Sequence, residues 1–253
     1  KFPNNSFISN LSGMAYQGLQ NHHKAIDFFE SALKIESTNI AAMNNLANSL
    51  KNIGQYVKAD KLFQKIIKIS PSYIQAYNNY ANLKDLVNDV EGSIKLYNQA
   101  LLIAKEKKIS PIVILSHLAG AYHSLNKKKE SIEIVNEILK NDPHNAEAHK
   151  ALSSLIKYSK KNEETMIHIS RMKNILNGNN LEDSQKGIIS FALGKAYDDL
   201  NDADTAIKFL SCGNKIIQKI RGSNINKDIN IMNDMKKIFK NIYLNLSHKS
   251  SSK

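Results

Sequence analysis

Asparagine stands at positions 44, 45 and 48 and returns at 78, 79 and 82, so the pattern Asn-Asn-x-x-Asn repeats after 34 residues. A carboxamide carries both donor and acceptor, and can pair with a peptide unit whatever side chain that unit bears. On a helix Asn44 and Asn48 share a face, as do Asn78 and Asn82. Two such groups in register would form an amide ladder able to hold an extended chain by its backbone. The competing explanation is compositional: asparagine is frequent here and solvates helix faces.

Other reactive side chains are poorly grouped. His117 and His123 are six residues apart, which puts them on different helix faces, and no cysteine or carboxylate completes a metal set. His22 and His23 adjoin in a turn, and His144 and His149 flank a helix start. No metal or cofactor site is expected. Asn177-Gly178-Asn179-Asn180 and Arg221-Gly222-Ser223 fit neither phosphate-loop template. Neither a nucleophile elbow nor a zinc-protease helix motif occurs. Cys212 is expected to be a partly buried packing residue, since no base is evident beside it. No catalytic residue is assigned, and the chain by itself is not expected to be an enzyme.

The formal net charge is +12. Nucleic acid, anionic lipid or an acidic partner would suit that balance. The lysines, however, are spread along the whole sequence, and the only arginines are Arg171 and Arg221. Arginine is the preferred reader of phosphates and base edges, so nucleic acid is not the expected partner. A single cysteine excludes an intrachain disulfide and fits a reducing compartment, for which a cytoplasmic location is the expectation. No apolar run reaches the roughly 18–20 residues of a spanning helix. The sequence begins at Lys1 and reads as a fragment or processed piece, so a lost signal peptide stays open.

The elements that would position these residues come from an internal repeat. Small residues at Ala25, Ala59 and Ser93 are 34 apart, and Ser131 follows after four more. Four residues beyond each stand Phe29, Phe63, Tyr97 and Val135; twelve before each stand Gly13, Ala47, Ala81 and Ala119. Pro71 and Pro143 close two of the units. This resembles the tetratricopeptide-repeat (TPR) pattern, whose period is 34 residues. The resemblance implies an all-α superhelical solenoid of about six helix-turn-helix units, with helix A of each lining a concave surface.

The expected units are 6–39, 40–73, 74–107, 112–145, a degenerate 146–179, and 187–220, together an array over 1–224. Segment 74–107 lacks the proline and has Lys84 where a bulky residue is usual. Insertions at 105–111 and 177–183 would alter the stacking locally. Helical spacing of Ile225, Ile229, Met232, Met235, Ile238, Phe239, Ile242 and Leu246 predicts a capping or bridging helix over 225–246, and 247–253 reads as a tail. A lone unit cannot bury its own apolar face, so neighbours must stack.

Helix A positions 2, 5, 6, 9 and 12 would face the groove. They give Asn44, Asn45, Asn48 and Lys51 in the second unit, and Gln75, Asn78, Asn79, Asn82 and Asp85 in the third. The fourth offers Ser116, His117, Gly120, His123 and Ser124. The amide pattern is similar to the asparagine ladder in the TPR arrays of O-GlcNAc transferases, which implies an extended peptide or protein as partner. A second resemblance is narrower. Phe191 to Lys215, with Gly213-Asn214 and basic residues ending near Arg221, looks like the last repeat of bacterial proteins joining a TPR array to a C-terminal sulfotransferase. That resemblance implies a non-catalytic recruiting arm of a larger sulfotransferase, or secondarily a glycosyltransferase. The sequence stops before any phosphosulfate loop, so no catalytic residue carries over. Oligomeric state is not legible.

Overall fold

The computed structural model describes residues 5–178 and 181–221. Its secondary structure there is all-α, and two compact units divide the chain between Pro143 and His144.

The first unit holds four helical hairpins: α1 (Ser6–Gly18) with α2 (His22–Ile35), α3 (Ile40–Asn52) with α4 (Tyr56–Ile69), α5 (Ile74–Leu86) with α6 (Val90–Glu106), and α7 (Ile112–Ser124) with α8 (Lys128–Asn141). Local chemistry sets their ends. The side chains of Asn5, Asn21, Asn39 and Asp89 accept from backbone N–H groups of the first turn, which no intrahelical carbonyl can satisfy. Each hairpin turns through one residue in the left-handed region: Gln20, Gly54, Asn88 and Asn126. The following N–H reaches back to a carbonyl of the last helical turn, as Gln55 N–H does to Leu50 at 2.9 Å. This six-to-one closure needs positive φ, which glycine and asparagine adopt most readily.

Helices α2, α4 and α8 stop alike, at Glu36, Ser70 and Asp142, with φ of −138°, −134° and −138°. A proline follows Ser70 and Asp142 and bars the helix from continuing, while α2 ends in the same way before Ser37. Lys105 stands where α6 would meet that proline, and α6 runs through it to 17 residues, against 14 in α2, α4 and α8. The insertion at 105–111 is therefore partly an added helical turn.

Two clusters form the interior. Phe29, Met43, Phe63 and Leu83 lead the first; Tyr77, Tyr97, Ala100 and Leu118 lead the second. The repeated small position is a steric requirement. A Cβ on Gly13 would come within 2.5 Å of the Phe29 ring. Lys84 replaces its missing bulk with charge: its Nζ lies 3.1 Å from Asp60 on α4 and over the Tyr80 ring.

The second unit contains α9 (Ala146–Leu155), α10 (Glu163–Asn177), α11 (Asp183–Asp199) and α12 (Ala203–Arg221). α11 and α12 form a hairpin of the same kind, turned at Asn201 (φ 56°). Helix α9 is only 10 residues long, and Ile156 leaves it extended, at φ −104° and ψ 158°. A strap over residues 156–162 replaces the tight turn. Tyr158, Ile169, Met172, Ile189 and Leu193 form this unit's core. Cys212 corrects the sequence expectation: it is exposed. The adjacent Gly213 faces α11, against Phe191 and the Gly187 carbonyl. No described helix is long and apolar enough to cross a membrane. The helix expected over 225–246 and the tail 247–253 lie outside the described residues.

Candidate functional site

The first helices of the four hairpins, α1, α3, α5 and α7, lie in succession within the first unit. Their contacts obey one rule. The sixth residue of each helix reaches the fifth residue of the helix before it. Asn45 Nδ2 donates to Asn10 Oδ1 at 3.1 Å, and Asn79 Nδ2 donates to Asn44 Oδ1 at 3.0 Å. His117 Nδ1 lies 3.0 Å from Asn78 Oδ1. An amide oxygen only accepts, so Nδ1 carries the proton and Nε2 keeps a lone pair. Burial pushes the His117 pKa down and Lys51 adds to this, against the opposing pull of Asp85, so the ring is neutral near pH 7.

The asparagine pairs are thus ties between neighbouring helices as well as surface groups. Asn44 corrects the groove expectation: it is 5% exposed and turned into this contact. Asp85 also turns inward. Its carboxylate accepts from Ser93 Oγ at 2.5 Å and lies 3.2 Å from the Tyr97 hydroxyl, both on α6. Of the two ends of the chain of ties, the register had already offered His117 to the groove but not Asn10. Asn10 is the fifth residue of the first unit, so the same register would have found it.

What remains on the face is a set of partly used amides. Asn48 is half-buried and makes no hydrogen bond to a described residue. Asn45 and Asn79 use their NH2 groups in the ties and leave their oxygens. Asn82 uses its oxygen on the Tyr97 hydroxyl at 2.6 Å and leaves its NH2. Asn78 has its oxygen on His117 and its NH2 unused. Lys51 is half-buried, pairs with no carboxylate among the described residues, and has its pKa lowered by burial. Ser116 is exposed but its hydroxyl donates to the Ile112 carbonyl of its own helix; His123 is exposed at the end of α7.

Residues 8–39 and 40–70 match two family models, both described as tetratricopeptide repeat. These are tetratricopeptide repeats. Solved structures extend the likeness over most of the chain. Pseudomonas aeruginosa pilF superposes with a TM-score of 0.63 at 15% identity, covering 90% of this chain and 97% of that one. PilW, a widely conserved type IV pilus biogenesis factor, gives 0.62 at 18%, covering 81% and 90%. YrrB, a TPR protein with an unusual peptide-binding site, gives 0.53 at 13%, covering 74% and 91%. At these identities the likeness is one of fold. No curated protein matches in sequence.

The repeat pattern fails in the second unit, and a buried polar centre stands where it fails. Tyr158, on the strap, is 1% exposed, and its hydroxyl lies 2.7 Å from His168 Nδ1. His168 Nε2 lies 2.8 Å from His149 Nδ1, with the two rings stacked. That contact requires a proton on one nitrogen and a lone pair on the other. Burial drives the His168 pKa down to about 4, with His149 and Arg171 adding to the effect. Helix α11 fastens the strap from the other side: Asp199 accepts from the Tyr158 N–H, and Lys195 donates to the Ile156 carbonyl at 2.6 Å. Thr165, at a normally small repeat position, donates to the strap carbonyls of Ser159 and Asn162. Among the described residues no group of three or more His, Cys, Asp or Glu could hold a metal ion.

Proposed function

We propose that the chain is a protein-interaction scaffold that binds an extended polypeptide across α1, α3, α5 and α7. The observation that carries this reading is the unused hydrogen-bonding capacity of the half-buried amides. Asn45 and Asn79 offer oxygens, Asn82 offers an NH2, and Asn48 offers both. A peptide backbone alternates N–H and C=O, so acceptors and donors side by side suit it, and a half-buried amide gains from a partner that also displaces water. Helices packed about 10 Å apart make four of them span roughly 30 Å, which an extended chain covers with roughly nine residues. YrrB, a TPR protein with a peptide-binding site, is consistent with this use of the fold.

The test needs a blocking substitution that spares the fold. Gly120 lies on α7, and a Cβ added there meets nothing within 4 Å. Peptides selected from a random library should bind the parent chain, lose binding to Gly120→Trp, and bind Asn48→Ala about tenfold more weakly, a loss of roughly 1.4 kcal/mol. Helicity and melting temperature should stay at parent values. Unchanged affinity in both variants would remove the proposed face.

A further inference from the structure

The second helices of the first unit each carry a row of side chains at the same register: one place before the small repeat residue, and two, six and nine places after it. On a helix these places lie along one side. In α4 the row is Lys58, Lys61, Lys65 and Lys68, all exposed. In α8 it is Glu130, Glu133, Glu137 and Lys140, with Glu130 half-buried and the others exposed. The remaining rows show no such segregation. In α2 the row mixes Lys24 and Lys34 with Asp27, and in α6 its one charge is Lys95.

The fold itself makes no use of these charges. None of Lys58, Lys61, Lys65, Lys68, Glu130, Glu133 and Glu137 forms an ion pair among the described residues. Asp60, the carboxylate of α4, is taken by Lys84 and the Tyr80 hydroxyl. Lys58 lies on a cavity with Asp27 and Glu30 of α2 and pairs with neither. Lys129 and Lys140 border the glutamates and do not pair with them either. Like charges three or four residues apart on a helix repel, so each row costs the isolated unit some stability.

We infer that α8 of a second copy of this chain docks on α4, its glutamate row laid along the lysine row. Both rows are spaced by three and then four residues. Lys58, Lys61 and Lys65 therefore stand opposite Glu130, Glu133 and Glu137 when the two helices lie side by side. One exposed ion pair contributes little, but several in a row share a single alignment and relieve the repulsion within each helix. An acidic partner of another kind would account for the lysines alone, and a basic one for the glutamates alone; a second copy uses both. Exposed Val57 beside the lysines adds apolar area to the contact. The contact belongs to the second helices, so it is independent of the peptide face proposed for the first helices and leaves that face open.

The experiment is sedimentation velocity on the full chain over a concentration series, at about 100 mM and about 1 M NaCl, between which the screening length falls from about 10 Å to about 3 Å. The expected result is association beyond the monomer at the lower salt and monomer at the higher. Two charge-reversed chains are then compared. One carries Lys58→Glu, Lys61→Glu and Lys65→Glu; the other carries Glu130→Lys, Glu133→Lys and Glu137→Lys. Each should be monomeric alone, and an equal mixture should associate again, to within about threefold of the parent affinity. Repulsion from net charge alone predicts the opposite for the first variant, whose lower net charge would make it associate more than the parent. Circular dichroism checks that both are folded. Should a reversed chain fail to fold, the neutral pair Lys61→Gln, Lys65→Gln should weaken association about tenfold, and unchanged association there overturns the inference. A parent chain that stays monomeric throughout, or a mixture of folded variants that does not associate, overturns it as well. Association abolished by Gly120→Trp would place the contact on the first helices and overturn it equally, leaving the peptide reading to its own test.

Discussion

The two units hold their helices together in opposite ways. The first repeats one modest polar contact three times, at Asn10–Asn45, Asn44–Asn79 and Asn78–His117, over an apolar core. The second concentrates its polar contacts in one place, where Tyr158, His168 and His149 meet beneath a strap fastened by Lys195 and Asp199. Repeated ties divide the load, so removing one should cost little. A buried chain of hydrogen bonds cannot lose a member without leaving its neighbours unsatisfied, and that penalty exceeds the value of an ordinary hydrogen bond.

The sharpest break of the comparison is His168→Ala. It deletes a buried ring and removes the group that both the Tyr158 hydroxyl and His149 Nδ1 contact. The expected loss is about 3–4 kcal/mol of stability in urea unfolding. Hydrogen exchange should quicken in α9 to α11 and stay unchanged in α1 to α5. Equal loss of protection in both regions would show that the contrast is false.

Acid should separate the units next. The His168 pKa is lowered from 6.5 to about 4 on folding. Below pH 6.5 the unfolded chain binds more protons than the folded one, so stability is intact above 6.5 and falls as pH drops through that window to about 4. The integrated loss for this group is on the order of 3 kcal/mol. A tyrosine-fluorescence or exchange titration should place it in the second unit and should find it gone in His168→Leu.

A tie in the first unit should matter less. Asn79→Ala removes one donor, leaving Asn44 Oδ1 without its partner, and should cost about 1 kcal/mol. The double change Asn79→Ala with Asn44→Ala should cost less than the sum of the two single changes, since both remove the same bond. Strict additivity in thermal melts would deny that the pair is a unit.

The smallest effect has the opposite sign. Gln20 occupies a left-handed turn position, φ 59°, where Gly54, Asn88 and Asn126 stand in the other hairpins. Gln20→Gly should raise stability by roughly 0.5–1 kcal/mol, seen as a small rise in Tm.

These contrasts also mark what sequence could reveal. The helical hairpins were legible because spacing of Gly13, Ala47 and Ala81 against Phe29, Phe63 and Tyr97 encodes a steric fit that repeats. The A-helix face was legible in outline from the same register. The division of labour among asparagines was not, because one residue type serves three ends. Asn5, Asn21, Asn39, Asn145 and Asn162 cap helices, and Asn88, Asn126 and Asn201 turn hairpins. Asn10, Asn44, Asn45, Asn78 and Asn79 tie helices together. Composition alone cannot tell these apart; backbone φ and the neighbouring helix decide. The histidine centre left no periodic trace, since it exists where Ser153, Thr165 and Met172 depart from the repeat.

The rule that joins sixth residue to fifth has a direction: every interior helix gives toward the N-terminus and receives from the C-terminus. Residues 40–73 carry one of each, Asn45 and Asn44, and so behave as an interchangeable part. Excising that segment would bring Asn79 opposite Asn10, the same pair of groups that meet in the parent. Duplicating it would insert a further rung with no amide left over. The polar ties of this unit are therefore indifferent to its length, and the face proposed for binding could be shortened or extended by whole steps without being redesigned.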